Sequence, residues 1–147
     1  MAEHRVEQIL AAVTALVTGL ATSGANVDRG RDSEIPAEKT PALRVYLGQD
    51  LIVDPWAQSL LDSEVEVGIQ AAVHDSATNV ETLLNRMRKE VNIALVADFT
   101  LGLAFVQAIV EVGAARPQLS GELAKPAASM DLLYRVKYRR SLGDPSA

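Results

Sequence analysis

Cysteine is absent from this chain of 147 residues. That removes disulfides, thiolate metal ligands and cysteine nucleophiles together, and it suits a reducing compartment. Aromatic side chains make up only 4%, so the core has to be assembled from Ala, Val, Leu and Ile. Histidine occurs only as His4 and His74. Zinc takes three or four ligands and neither histidine has a partner at ligand spacing, so no metal site is expected. His74 beside Asp75 could be half of a catalytic dyad, but a histidine at a strand end is the plainer reading. No GxSxG elbow is present, and Gly19 and Gly24 lack both the preceding strand and the Lys of a phosphate-binding loop. Long hydrophobic runs are missing too. The most apolar later stretch, Phe99 to Val110, is flanked or broken by Asp98, Gln107 and Glu111, and is too short and polar to span a bilayer. Glu3, Arg5 and Glu7 in the first apolar stretch do not suit a secretory signal. The expectation is a soluble, non-enzymatic protein with no cofactor and no membrane partner.

What is present fits one globular domain over residues 1–147, with 48% hydrophobic and 22% charged residues. A net charge of −5 and a pI near 5.0 disfavour sequence-independent grip on nucleic acid, which needs a basic patch. The charge is uneven. Residues 1–75 carry 12 acidic and 5 basic side chains, whereas residues 76–147 carry 7 and 9. Either the two halves meet within one fold, or acidic and basic faces meet between subunits.

Val6, Ile9, Leu10, Val13, Leu16, Val17 and Leu20 recur at spacings of three and four, which predicts an amphipathic helix over 3–20, stopped by Ser23-Gly24. Val27 to Gly30 reads as a short strand, and the polar run from Arg31 to Thr40 as a loop bracketed by Pro36 and Pro41. Ala42 to Leu47 is a strand, and Gly48 to Ser59 a second loop holding the only tryptophan, Trp56. Leu61 to Val73 alternates strictly, so one face is buried and one wet. Thr78 and Glu81 have capping-box spacing before a helix ending near residue 96, with Arg86, Arg88 and Lys89 on or near its wet side. Phe105 to Val112 is a strand, and Gly113 to Ala128 a long connection. Met130 to Tyr138 is the last strand, and the tail from about 141 to 147 is expected to fray. The order predicts an α+β two-layer sandwich: a mainly antiparallel sheet of four to five strands with two helices on one face.

Several of these segments together resemble the tail terminators of long-tailed bacteriophages, the minor tail protein U group among them. The matching pieces are Val27-Asp28-Arg29-Gly30-Arg31, Pro41 to Tyr46, Ala97 to Gly102 and Tyr134 to Tyr138, so the likeness runs from about residue 4 to 139. Leu103 stands where relatives often carry a second glycine. The resemblance implies a homo-oligomeric ring, by family habit a hexamer, on the head-proximal end of the virion tail. Its partners would be the major tail tube protein and a head-completion or connector protein, with DNA passing through the hole. It carries over no catalytic residues. Two other readings stay open: another phage neck adaptor for head or tail completion, or a small cellular ligand-binding domain or enzyme.

The candidate interaction residues follow from the wet surfaces. Glu64 and Glu66 face outward on one strand and Arg135, Lys137 and Arg139 on another, so these rows are expected to meet, within one sheet or across a subunit boundary. Leu51, Ile52 and Trp56 sit in a segment with no period to bury them. Trp56 either caps the edge of a core or anchors a partner.

Overall fold

The computed structural model describes residues 2–30, 39–56, 59–74, 79–120 and 127–147. Helix α1 spans Arg5–Val17 and buries Val6, Ile9, Leu10, Val13 and Val17, the stripe its spacing demands. The His4 ring nitrogen Nδ1 accepts from the Val6 amide at 3.0 Å and caps the helix start. The helix is shorter than 3–20. It stops at Thr18, where the backbone turns extended, and the chain folds back through Gly19 and Gly24, both at positive φ. The resulting turn is tied to the second helix: the Glu90 carboxylate accepts from the Thr22 amide at 2.8 Å and from the Thr22 hydroxyl.

Strand β1 (Val27–Arg29) pairs in parallel with β2 (Ala42–Ile52), which pairs antiparallel with β3 (Leu60–His74). Helix α2 (Val80–Val96) follows, then β4 (Val106–Ala114), β5 (Gln118–Ser120) and β6 (Ala127–Ser141). The sheet order is β1-β2-β3-β6-β4, with β5 paired to β6, so the six strands slightly exceed the four to five expected. Among the described residues only the β1–β2 pair is parallel.

Both helices lie on one face. Their inward residues, including Ile9, Val13, Leu84 and Val91, share one cluster with Val65, Val67 and Ile69 of β3 and with Tyr134 and Val136 of β6. The α+β two-layer sandwich with a mainly antiparallel sheet is therefore the architecture observed.

Four local expectations need correction or restriction. The helix cap that is seen is Asn79, whose side chain accepts from the Glu81 and Thr82 amides; Thr78 lies outside the described residues, as do Asp75 and most of the Arg31–Thr40 loop. Part of the Gly113–Ala128 connection is β5, while its centre also lies outside them. The tail is tied down rather than frayed: the Pro145 carbonyl accepts from Arg5 N at 2.8 Å, and Leu142 N donates to Ser59 O at 3.0 Å.

The largest difference is the second loop. Gly48 to Ile52 is the outer half of β2, not a loop, and pairs onward as Asp50↔Val65, Leu51↔Glu64 and Ile52↔Ser63. A bulge between Leu47 and Asp50 explains why no period was visible. The extra residue shifts the alternation, so the sequence reads as irregular although the backbone stays paired.

Candidate functional site

The open face of the sheet carries a charge ladder. Asp62, Glu64 and Glu66 of β3 stand opposite Arg139, Lys137 and Arg135 of β6. Arg139 and Asp62 form a two-point ion pair, with Nε to Oδ1 at 2.7 Å, and the Arg139 guanidinium holds the Asp62 carboxyl below its usual range. Arg135 lies between Glu64 and Glu66, at 3.9 Å from each. The two rows thus meet within one sheet. Cross-strand pairs of this kind contribute roughly 0.2–1 kcal/mol each. Reversing Arg135 and Lys137 to Glu should lower unfolding stability by about 1–2 kcal/mol, and adding Glu64→Lys and Glu66→Lys should recover most of it. A fourfold variant no more stable in urea than the Arg135/Lys137 pair would defeat this account.

Further along the same face the ladder gives way to close packing. A Cβ on Gly68 would lie 2.1 Å from the Tyr46 ring, so only glycine leaves room for the Tyr46 side chain to lie across β3.

Beside the ladder, the outer half of β2 pairs with β3 in a hairpin whose β2 strand and tip are apolar. Leu47, Leu51, Ile52, Val53 and Leu60 are all exposed, and Trp56 at the tip is 89% exposed. Trp56 is therefore not the edge of a core. The Asp54 carboxylate accepts from Trp56 N at 3.1 Å and shapes the turn. The base of this half-strand is anchored by a buried tyrosine, Tyr138, whose hydroxyl donates to the Asp50 carboxylate at 2.9 Å. Register thus brings Leu51 beside Glu64 on the open face, while Ile52 follows Ser63 on the other. The candidate residues Leu51, Ile52, Trp56, Glu64, Glu66, Arg135 and Lys137 fall into two adjoining regions of the β2–β3–β6 surface.

Sequence reasoning did not find a second apolar surface. On α2, Ile93 and Val96 point away from the core, and Phe99 follows in the next turn; all three are exposed. Their 3- and 4-residue spacing from Arg86 and Lys89 was the available signal, but it sat opposite the stronger stripe of Leu84, Met87, Val91 and Leu95.

Among the described residues no three His, Asp or Glu side chains group to hold a metal ion. No helix of the described residues is long and apolar enough to cross a membrane. Two open depressions of about 320 and 380 Å³ are present. The larger is floored by Phe105, with the Arg5 guanidinium 4.4 Å above its ring. Glu81, Arg88 and Arg116 line the smaller depression, and Arg5 and Arg139 line the larger.

Fold and surface together define a small α+β two-layer domain whose distinctive features lie on its surface rather than in a cleft. Neither a protein-family model nor a curated protein matches the chain. Among solved structures, a chain of the "Virion of native gene transfer agent (GTA) particle" is similar over 93% of this chain and 92% of that one, with a TM-score of 0.53 and 16% sequence identity. At that identity the likeness is one of fold.

Proposed function

We propose that this protein is a tail terminator: a structural virion protein that forms a ring, in this reading a hexamer, on the head-proximal end of a tail tube. There it ends tube polymerisation and offers the surface to which the head attaches. The observation that carries the reading is the near end-to-end fold likeness to a chain of a gene transfer agent virion, covering more than nine-tenths of both chains. The sequence resemblance to tail terminators over about residues 4–139 points the same way. So does the surface, because a small domain that leaves Leu51, Val53 and Trp56 exposed on one hairpin has apolar area suited to assembly contacts. Net charge of −5 suits a passage through which DNA slides without being held.

Negative-stain images of the purified full chain, alone and mixed with polymerising tail-tube protein, test this directly. The expected result is six-fold rings, and tubes that stop growing with a ring on one end. Rings that bind a head connector and leave tube growth untouched would instead make the protein a neck adaptor. A chain that stays monomeric and leaves tube length unchanged would overturn the assembly reading altogether.

A further inference from the structure

Charge is distributed on this surface in a way the internal ladder does not use up. From residue 45 to residue 85 the sequence holds no Lys or Arg. Asp62, Glu64 and Glu66 in that stretch are answered by Arg139 and Arg135 of β6. At the outer end of the hairpin, Asp50 and Asp54 have no basic partner among the described residues. Among the described residues they accept only from the Tyr138 hydroxyl and the Trp56 amide. The hairpin end is therefore apolar and acidic.

The outer stripe of α2 is its complement. Arg86, Lys89, Ile93 and Val96 follow one another at spacings of three and four on the side away from the core, and all are exposed. Their neighbours are committed: Arg88 donates to Glu111 at 2.6 Å, and Glu90 holds Thr22. Arg86 and Lys89 have no ion-pair partner among the described residues. This stripe is basic at one end and apolar at the other.

We propose that the β2–β3 hairpin of one copy of this chain seats on the α2 stripe of the next, with Leu51, Val53 and Trp56 against Ile93, Val96 and Phe99, and Asp54 against Arg86 and Lys89. The occupant is a second copy because one contact then covers both apolar patches and pairs both sets of unmatched charge. A hairpin-to-hairpin contact would set Asp54 against Asp54, and a stripe-to-stripe contact would set bases against bases, each a repulsion. Contact between two different patches of the same subunit is head-to-tail, and such contacts close into rings when the rotation allows. This inference rests on the ring reading above and adds which surfaces make the ring.

The test uses two full-length variants, Asp54→Lys and Arg86→Glu with Lys89→Glu, all at exposed positions. Each alone should reduce assembly, by native mass spectrometry, roughly tenfold or more at a fixed concentration, with melting temperature unchanged. Mixed in equal amounts, the two should assemble again, because each reversed patch now meets a reversed partner. Strict alternation of the two masses is required, and a hexamer permits it. Wild-type rings whose two variants assemble normally, or whose mixture stays dissociated, overturn this contact and leave the ring reading standing. A wild-type chain that forms no ring, alone or on tubes, overturns both.

Discussion

Raising the pH from 10 to 12 is expected to remove on the order of 4 kcal/mol from the stability of this fold, through two buried tyrosines. Burial, with the nearby Glu111 carboxylate, pushes the Tyr134 hydroxyl up from 10.0 to about 12. Burial also raises Tyr138 to about 12, aided by its hydrogen bond to Asp50. Both side chains are fully buried in the core. A phenol held neutral in the fold binds its proton more tightly there than in the unfolded chain. Its contribution is therefore complete below the unfolded value near 10, and is lost as pH rises through the folded value near 12. Two pKa units correspond to on the order of 3 kcal/mol for each group at most, with about 2 of it lost between pH 10 and 12. Small domains hold only about 5–15 kcal/mol in total, so cooperative alkaline unfolding should fall within this window. Urea titrations followed by circular dichroism across the range check it. Tyr134→Phe with Tyr138→Phe should flatten the dependence. Phenolate absorbance from both residues near pH 10, with native structure intact, would show that their burial does not act as argued.

The second large effect is expected on assembly, with almost none on stability. Trp56 is 89% exposed at the hairpin tip, so Trp56→Ala removes little that the isolated domain uses. Its unfolding free energy should change by no more than an exposed substitution ordinarily allows, about 0.5 kcal/mol. Tryptophans at the centre of an interface commonly cost 2 kcal/mol or more when truncated, roughly 30-fold in affinity. Repeated around the proposed ring, that would abolish the tube capping proposed for it. Trp56 is the only tryptophan, so its fluorescence should shift to the blue on assembly. Capping by Trp56→Ala at wild-type efficiency, or unfolding of the variant, would remove the residue from the interface.

These two effects fall on opposite sides of what local sequence can express. The alternation from Leu61 to Val73 and from Met130 to Tyr138 decided which face of β3 and β6 is buried, because side chains alternate across a strand whatever it pairs with. The spacing of three and four in α1 and α2 likewise named their inward residues. From these periods the two-layer α+β sandwich, the core, and the facing rows of Glu64, Glu66, Arg135 and Lys137 were all legible.

The tertiary structure decided what depends on distant partners. Gly48 to Ile52 is a strand only because β3 continues beside it, and its bulge erased the period that would have shown it. The length of α1 depends on a turn held by Glu90, far along the chain. Whether Trp56 capped a core or stood in solvent could not follow from Pro55 and Asp54 beside it, since exposure is set by how far a hairpin reaches beyond the helices. The α2 stripe was visible as spacing, but its meaning required seeing that Glu111 takes Arg88 and that Arg86 and Lys89 have no ion-pair partner among the described residues. Periodicity is local, so the sequence determined the core and the layers. Pairing, reach and charge compensation join residues far apart in the chain, so only the folded structure determined which side chains this protein exposes.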